Sequence, residues 1–547
     1  MANPFIVRFK PSGAEAFADG ATPLLELARG LGLELESSCG GRGICRSCAV
    51  RIEGVVPEPS ECERAQFQPG ELAKGWRRAC QFVPAGPCTV HVPAKTARGK
   101  FSAGKEAREN SVAIAEPMIA WDFQQRSWRR GTRAIVIAAG ESPLGLAVDL
   151  GTTNIAAALV DMASGRILAS ESAVNPQVAY GADVISRLEH ALRGTARARE
   201  LQSAASEAIA ALAAQMTGGA LPRIAEVAVA GNTVMQHLLL GLPVASLARA
   251  PYTPAVLHAV ELPAAGLGWT FASEATLYCA PNVAGFIGGD HLSALLAVAS
   301  AAPAGRWAML DIGTNTEIAL YADGRITSAS CASGPAFEGG KLTCGMRAAP
   351  GAIDRVAING GVKVSTIGQH PAVGICGSGV LSILAALKRA GIVDKRGRMS
   401  CGHGSMRETS AGRELVLRDG EGRSTLPVVF TQADVRAVQL AKSAIRTGLD
   451  ILLDDAGLAA GDLDRIFIAG TFGRFVDIRD AFAIGLLPEM PDDRVVQVGN
   501  AAGAGVCRLV ACSRARREVD AMARRIRYLE LATAAAFQRT FIARSMM

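Results

Sequence analysis

The chain has 547 residues, of which 49% are hydrophobic but only 5% aromatic, and it contains 59 glycines. This length suffices for several domains, and the composition excludes a disordered, collagen-like or small disulfide-rich protein. The formal net charge of +7 arises without a long run of lysine and arginine, so nucleic acid is not expected as a partner. We find no signal-peptide pattern, and the longest apolar stretch, residues 292–304, is too short for a membrane span. The sequence therefore predicts a cytoplasmic protein that does not bind a membrane.

Residues 1–93 have the element order of a β-grasp domain. Apolar residues at helical spacing follow Thr22 and Pro23 and stop at Gly32, which predicts a helix with Thr22 as its N-cap. The predicted elements are a strand at 3–10, a second strand after Pro11-Ser12-Gly13, a helix over 24–31, and strands at 48–52 and 88–92.

Four cysteines of this domain have the spacing of an iron–sulfur site. They form the pattern Cys39-x5-Cys45-x2-Cys48, followed by Cys80. Four thiolates suffice for one 2Fe-2S cluster, and three glycines in the first interval allow the loop to point N–H groups at sulfur. The alternative is a structural zinc site, which usually uses two well-separated Cys-x2-Cys pairs. The arrangement resembles the 2Fe-2S ferredoxins of β-grasp fold, with the first gap of adrenodoxin-type members.

The remainder of the chain contains two similar α/β units. Residues 94–144 are polar and irregular and predict a linker with little core of its own. Apolar strands then alternate with Ala- and Leu-rich helices, and the segment 146–160 is nearly repeated at 308–320. We therefore expect two lobes facing one another, at 145–305 and 306–547.

Each copy contains a motif that predicts a phosphate-binding turn. Asp149-Leu-Gly-Thr-Thr-Asn154 and Asp311-Ile-Gly-Thr-Asn-Thr316 place a carboxylate at a strand end and small hydrogen-bonding residues after it. Such turns wrap phosphate, and each aspartate can orient water bound to Mg²⁺. Either motif alone is common. Two such motifs at equivalent places in the two repeated units indicate one nucleotide bound between the two turns. The predicted residues are Asp149 and Asp311 for magnesium, with Gly151, Thr152, Thr153, Asn154, Gly313, Thr314 and Asn315 around the phosphates.

The pair of motifs resembles the ATPase superfamily of sugar kinases, Hsp70 and actin, which implies an RNase H-like fold that binds ATP and Mg²⁺. Glu317 leaves the second turn on a strand and is the candidate for positioning the attacking water, the alternative being a solvated strand residue. A glycine turn opens a predicted helix over 380–388, where the helix amino terminus can meet nucleotide or simply pack closely. Residues 466–473 resemble the adenosine-binding loop. The further nucleotide-binding candidates are Gly377, Ser378, Gly470, Thr471 and Gly473.

Several connecting stretches resemble a narrower family. They are residues 175–183, 231–237, 250–254, 333–339 and 346–353. With a ferredoxin domain ahead of the ATPase units, the chain resembles the reductive activators of corrinoid-dependent methyltransferases over 1–93 and 145–547.

This resemblance implies that one electron passes through the 2Fe-2S cluster to a partner's inactive Co(II) cobalamin and restores Co(I) with the help of ATP. It implies as partners a corrinoid protein or a cobalamin-dependent methyltransferase, methionine synthase included, and an electron donor such as a flavodoxin or a ferredoxin reductase. The corrin is expected on the partner, because no Asp-x-His-x-x-Gly loop occurs here. No cysteine follows Cys512, so no carboxyl-terminal 4Fe-4S cluster is expected, and 521–537 is predicted to be helical.

Three other functions are compatible with parts of the sequence. An ATPase activator of a 2-hydroxyacyl-CoA dehydratase has the same ATPase fold, but bridges a 4Fe-4S cluster between subunits and lacks the ferredoxin domain. A small-molecule kinase would leave the ferredoxin domain without a role. A nucleotide-gated binding module would remodel its partner without any redox reaction. Reduction of a Co(II) corrinoid that depends on ATP distinguishes the first interpretation from all three.

Overall fold

The computed structural model describes most of the chain. No helix in the described residues is long and apolar enough to cross a membrane. The described residues are 4–33, 35, 43, 48–93, 111–137, 140–218, 224–272, 274–300, 302, 304–340, 342–410, 412–420, 427–473 and 475–547.

The amino-terminal domain is a five-stranded β-grasp sheet. Its strand order is β2-β1-β5-β3-β4, in which β1 and β5 are parallel and the other neighbours are antiparallel. Alternating residues of these strands, including Val7, Phe9 and Val90, are buried against α1. The elements are β1 (Phe5–Lys10), β2 (Glu15–Ala18), α1 (Leu24–Gly30), β3 (Ala49–Gly54), α2 (Glu61–Arg64), α3 (Pro69–Ala73), β4 (Trp76–Arg78) and β5 (Cys88–His91).

The start of α1 differs by one residue from the prediction. Pro23 is the N-cap, and the side chain of Thr22 donates instead to the carboxylate of Asp19, 3.2 Å away. Asp19 also accepts from the backbone N–H groups of Ala21 and Thr22, which forms an aspartate turn before the helix. The first N–H groups of α1, those of Leu24 and Leu25, donate to the carbonyls of Phe82 and Ala79 at 2.9 Å. The predicted end is correct, since Gly32 has φ of +70°.

Residues 111–137 differ from the linker expected over 94–144. They form an antiparallel sheet of β6 (Ala120–Asp122), β7 (Ser127–Arg130) and β8 (Arg133–Ile135). Ile119 is only 1% exposed, and the neighbouring Met118 donates its N–H to the carbonyl of Ala511 at 2.9 Å. This segment therefore packs on an apolar cluster that contains residues of both lobes. Ile119 is buried in that cluster, whereas Phe123 and Val136 are exposed.

The first lobe is built on a six-stranded sheet of order β11-β10-β9-β12-β14-β13. Strands β9, β12 and β14 are parallel, whereas β10, β11 and β13 are antiparallel to their neighbours. The elements are β9 (Leu144–Leu150), β10 (Asn154–Asp161), β11 (Ile167–Val174), α4 (Val184–Ala191), α5 (Thr195–Thr217), β12 (Ile224–Gly231), α6 (Thr233–Leu240), β13 (Val260–Pro263), β14 (Thr276–Cys279) and α7 (Gly289–Ala299).

The second lobe repeats this pattern in a sheet of order β25-β24-β15-β16-β17-β26, and two three-stranded sheets are inserted into it. The elements are β15 (Trp307–Ile312), β16 (Thr316–Ala322), β17 (Arg325–Cys331), β18 (Ala352–Ile358), β19 (Val362–Thr366), β20 (Gly374–Ile375), α8 (Gly377–Arg389), β21 (Met406–Thr409), β22 (Gly412–Arg418), β23 (Val428–Thr431), α9 (Gln432–Asp455), β24 (Arg465–Ala469), α10 (Gly470–Gly473), α11 (Ile478–Ala483), β25 (Val495–Gly499), α12 (Ala501–Ala511), α13 (Ser513–Arg525), β26 (Arg527–Tyr528) and α14 (Phe537–Ser545).

A shared core joins the two lobes. Residues of both sheets, of α7 and of α12 belong to one buried apolar cluster. The two helices approach closely at Gly505, where a Cβ atom would lie 1.9 Å from the carbonyl oxygen of Ser293. A side chain at 505 would therefore push α12 away from α7.

The carboxyl-terminal helix predicted over 521–537 is wrong. Helix α13 ends at Arg525, and the chain then adds β26 in parallel to β17, with Thr327 opposite Arg527. Helix α14 begins only at Phe537. The Ala-rich composition favoured a continuous helix, but the exposed edge of β17 provides backbone partners that end it.

Candidate active site

The first predicted phosphate turn is a tight hairpin between β9 and β10. Asp149 lies opposite Ala156 in the ladder, and a Cβ atom on Gly151 would lie 2.6 Å from the carbonyl oxygen of Asn154. Two buried side chains fix the backbone of the turn. Asn175 donates to the carbonyl of Gly151 at 2.9 Å, and Arg187 donates to the carbonyl of Thr152. These contacts engage carbonyl oxygens of the turn and not its N–H groups, which are the donors that a phosphate needs.

The second hairpin, between β15 and β16, is held in a similar way. Asp311 and Glu317 are directly opposite in the ladder. Ser333 donates to the carbonyl of Gly313 at 3.0 Å, and the N–H of Gly334 donates to the carbonyl of Thr314 at 2.9 Å. The strand following each hairpin thus leads into a segment that supports the turn.

Three carboxylates of these hairpins and Asp290 of α7 share one electrostatic environment. Burial raises the pKa of Asp149 to about 6, while a hydrogen bond from Asn500 lowers it. Burial and the charge of Asp149 raise the pKa of Asp311 to about 7. Burial, followed by the charges of Asp290 and Asp311, raises the pKa of Glu317 well above its usual value. Carboxylates that raise one another's pKa in this way require a cation to be ionised together.

The neighbouring basic side chain cannot supply that cation. Burial lowers the pKa of His291 to about 3, so its imidazole is neutral, and its Nε2 lies 2.9 Å from the hydroxyl of Ser328. No three His, Cys, Asp or Glu side chains in the described part of the chain form a set that could hold a metal ion directly.

Asp290 belongs to this group but was not predicted from the sequence. It lies in the first turn of α7 and accepts the N–H of His291 at 2.8 Å. Burial raises its pKa to about 7, and the charges of Asp149 and Asp311 contribute to the shift. The available signal was Gly288-Gly289-Asp290, because a Cβ atom on Gly288 would lie 2.3 Å from the carbonyl of Gly231. The glycines let the start of α7 reach the end of β12, beside β9.

Glu338 is a second residue that the sequence analysis missed. Its carboxylate accepts from the hydroxyl of Thr153 at 3.3 Å and from that of Thr314 at 3.1 Å, so it bridges the two hairpins. Burial raises its pKa, whereas the Thr314 hydrogen bond and the charge of Arg347 lower it. Arg347 also donates to the side chain of Asn154 at 3.0 Å and provides a further contact between the lobes.

Two other predicted glycine turns lie beside the second hairpin. A Cβ atom on Gly470 would be 2.7 Å from the carbonyl of Ile312 and 3.0 Å from Oδ1 of Asp311. At the start of α8, Gly377 approaches the carbonyl of Phe337 so closely that a Cβ atom would lie 1.9 Å away. The rings of Phe337 and Phe472 stack with centroids 5.0 Å apart, which joins these segments.

The remaining nucleotide-binding candidates have fewer described contacts. Ser378 contacts the thiol of Cys376 at 3.4 Å. A Cβ atom on Gly473 would meet the side chain of Ile468 at 2.7 Å, which indicates close packing. For Asn315, its carbonyl lies 3.2 Å from the position of a Cβ atom on Gly313. The side chain of Thr471 lies outside the described residues.

The structure describes two of the four predicted cluster ligands. Cys48 and Cys80 are both buried, and their Sγ atoms are 3.3 Å apart, which is too far for a disulfide and close enough for two ligands of one iron. Gly43 has φ of +73°, a conformation that glycine adopts readily. Cys39 and Cys45 lie outside the described residues.

Three family models match successive parts of the chain. The 2Fe-2S iron-sulfur cluster binding domain matches residues 7–85, the RACo middle region matches 144–300, and the C-terminal ASKHA domain of RACo matches 307–547. A corrinoid activation enzyme, RamQ of Eubacterium limosum, is 30% identical over 95% of this chain and 95% of its own length. The chain belongs to the RACo family.

Two further comparisons extend over most of this RACo-family chain. The reductase of the Co(II) methylated amine-specific corrinoid protein of Methanosarcina barkeri is 27% identical over 73% of this chain and 76% of that protein. A solved reductive activator for a corrinoid, iron-sulfur protein has a TM-score of 0.71 and 30% identity, covering 99% of this chain and 98% of the other. The resemblance inferred from sequence and the predicted ferredoxin–ASKHA fold are confirmed.

The raised pKa of Asp290 leads to a pH-dependent stability prediction. A carboxyl group whose pKa is higher in the folded than in the unfolded protein costs stability as pH rises from about 4 through 7. Without divalent cations, we expect Asp290→Asn to raise Tm relative to wild type by about 2–4 °C at pH 8. The difference should become smaller at pH 5, where the wild-type group is already protonated.

Scanning calorimetry at the two pH values, with EDTA present, measures this difference. Asp323→Asn is the control, because this aspartate follows β16 in the second lobe and its side chain is 76% exposed. A wild type that is more stable than Asp290→Asn at pH 8 would contradict the shared environment of the carboxylates.

Proposed function

We propose that this RACo-family protein hydrolyses ATP to drive the transfer of one electron to an inactive Co(II) corrinoid on a partner protein, which yields Co(I). The observation that carries the proposal is the convergence of Asp149, Asp290, Asp311 and Glu317 beside two phosphate-type hairpins in a chain whose relatives are named as corrinoid activators and reductases. The reaction consumes ATP and water, and one electron from a cellular donor reduces the cobalt.

The chain's own residues have separate roles at the nucleotide. The hydroxyls of Thr152, Thr153 and Thr314, the side chain of Asn315 and the hairpin N–H groups bind the phosphates. Bound Mg²⁺ would supply positive charge there, and Asp149 and Asp311 orient its water ligands. Glu317, opposite Asp311 on β16, positions the attacking water. Gly470 allows the adenosine-binding loop to approach Asp311 without a side chain between them.

The amino-terminal domain provides the electron path. A 2Fe-2S cluster bound by Cys39, Cys45, Cys48 and Cys80 would supply a one-electron carrier. For such a couple, a difference of about 59 mV changes the equilibrium tenfold, so a donor much weaker than the Co(II)/Co(I) couple transfers few electrons unaided. ATP is therefore needed to stabilise an arrangement of the partner in which cobalt accepts the electron.

Contacts between the lobes provide a means for ATP to act on the partner. Glu338 links Thr153 of the first lobe to Thr314 of the second, and Arg347 links the second lobe to Asn154. A nucleotide bound to both hairpins changes these contacts and hence the segment 337–347. We expect this segment and 252–257 to contact the corrin-bearing face of the partner.

The cobalt state of the partner should control ATP hydrolysis. A ligand shifts a conformational equilibrium only as far as it prefers one state. An activator that bound the Co(II) and methyl-Co(III) forms of its partner equally would therefore consume ATP on partner molecules that are already active. Partner protein holding Co(II) is expected to accelerate ATP hydrolysis at least about tenfold more than partner holding methyl-Co(III). Phosphate release measured with the two partner forms at equal concentration tests this, and equal stimulation by both would contradict selective recognition.

A further inference from the structure

A fully buried arginine lies beside the cysteine site. Arg78 is at the end of β4, two residues before Cys80, and none of its surface is exposed. Its Nη1 donates to the side chain of Gln66 at 3.2 Å, and its backbone N–H donates to the carboxylate of Glu63 at 3.0 Å. Nε and Nη2 have no hydrogen-bond partner among the described residues. A buried guanidinium with two unpaired nitrogens is uncommon and destabilises the fold unless a negative group pairs with it.

The neighbours of the guanidinium indicate which group that is. Its Nη1 would lie 3.3 Å from a Cβ atom on Gly43, which falls in the sequence interval between Cys39 and Cys45. The carboxylate of Glu63 is engaged with the Arg78 backbone and with the N–H of Ser60 at 3.0 Å. Cys80 lies two residues after Arg78, and its thiol is 3.3 Å from that of Cys48. Both thiols ionise when they bind iron. The donors present therefore fit a negatively charged iron–sulfur group.

The adjacent Arg77 is different. Its Nη1 donates to the carbonyls of Leu72 and Trp76, at 3.1 and 2.8 Å, and its Nη2 donates to the carbonyl of Pro57 at 3.1 Å. Arg77 thus anchors the loop that precedes β4 through both of its terminal nitrogens. Among the described residues its Nε alone lacks a partner, whereas both Nε and Nη2 of Arg78 lack one. Arg78 is also the arginine found next to Gly43.

We propose that Arg78 is a positioning residue that sets the reduction potential of the 2Fe-2S cluster by donating hydrogen bonds to its sulfur atoms. The proposal rests on the cluster belonging to the proposed function. One-electron reduction adds a negative charge, so a fixed positive charge and N–H donors stabilise the reduced form more than the oxidised form. The potential is therefore higher than it would be without Arg78. A mildly reducing donor can then reduce the cluster. The unfavourable transfer of the electron from the cluster to Co(II) depends on ATP.

The test compares full-length wild type, Arg78→Met, Arg78→Lys and Arg51→Gln. Arg51→Gln is the matched control, because Arg51 is on the neighbouring strand β3 and pairs with the exposed Glu53 at 2.6 Å. Anaerobic redox titration, followed by the electron paramagnetic resonance signal of the reduced cluster, gives each midpoint potential. At the wild-type midpoint, we expect the ratio of reduced to oxidised cluster to fall about tenfold in Arg78→Met, a shift of about 59 mV to lower potential. Arg78→Lys should shift less, and Arg51→Gln should remain close to wild type.

Iron analysis of each protein separates the possible failures. A wild-type potential in iron-loaded Arg78→Met would overturn the role of Arg78 and leave the cluster assignment intact. Loss of iron from both Arg78 variants, while Arg51→Gln keeps its iron, would also overturn it, because Arg78 would then serve only the fold. Wild-type protein that binds no iron under reconstitution would overturn the cluster and this role together.

Discussion

Replacing Asp311 by alanine is expected to lower ATP turnover at least about 100-fold and to leave the iron–sulfur absorption spectrum unchanged. The reason is electrostatic. Asp311 is at the end of β15, where burial and the charge of Asp149 raise its pKa, and in the proposed site it would orient the water ligands of Mg²⁺ at ATP. Removal of a carboxylate with a raised pKa should not destabilise the domain, so a loss of turnover can be attributed to the site.

The control for Asp311→Ala is Asp323→Ala. Asp323 follows β16, and its side chain makes only a long contact of 3.5 Å with Arg306. Turnover by this variant should match wild type. Normal turnover in Asp311→Ala, with an unchanged requirement for Mg²⁺, would refute the assignment of the second hairpin to ATP.

Replacing Cys80 by serine is expected to have an equally large effect on the other half of the reaction. Wild type should contain about two irons per chain, and Cys80→Ser should lose most of this iron and its electron transfer to cobalt, because one of four thiolate ligands is absent. Nucleotide binding should persist, since the hairpins belong to a different domain. Iron analysis and visible absorption after anaerobic reconstitution measure the change.

Cys62→Ser provides the matched comparison. Cys62 is an exposed cysteine on α2 of the same domain, whereas Cys48 and Cys80 are buried. Its replacement should leave the iron content unchanged. An intact cluster in Cys80→Ser would mean that the fourth ligand is another residue.

Local sequence patterns predicted the elements that depend on local interactions. The hairpin of β1 and β2, helix α1 and both phosphate-type hairpins follow from alternation, glycine positions and helical spacing. The predictions are wrong where contacts with residues far away in the sequence determine the structure. Helix α13 ends at Arg525 because β17 offers a free edge, and residues 111–137 pack on the core that both lobes share. No local pattern contains that information.

In the candidate site, too, the sequence predicted residues of local motifs and missed residues that only the fold brings together. Asp149, Asp311 and Glu317 were identified because each belongs to a repeated strand-turn motif. Asp290 and Glu338 come from an apolar helix and from a 3₁₀ turn, and only folding brings them to the hairpins. Their contribution depends on burial and on neighbouring charge, which spacing along the chain does not encode.

The most direct test of the proposed function is the absorption spectrum of a partner corrinoid protein held as Co(II). The reduced activator is added anaerobically, with ATP and Mg²⁺ or without nucleotide, and the bands of Co(II) and Co(I) are followed. The proposal predicts that Co(I) forms with wild type and ATP, and that it fails to form without ATP, with Asp311→Ala or with Cys80→Ser. Equal formation of Co(I) with and without ATP would contradict the proposal, as would Co(I) formation by the variant that lacks its cluster.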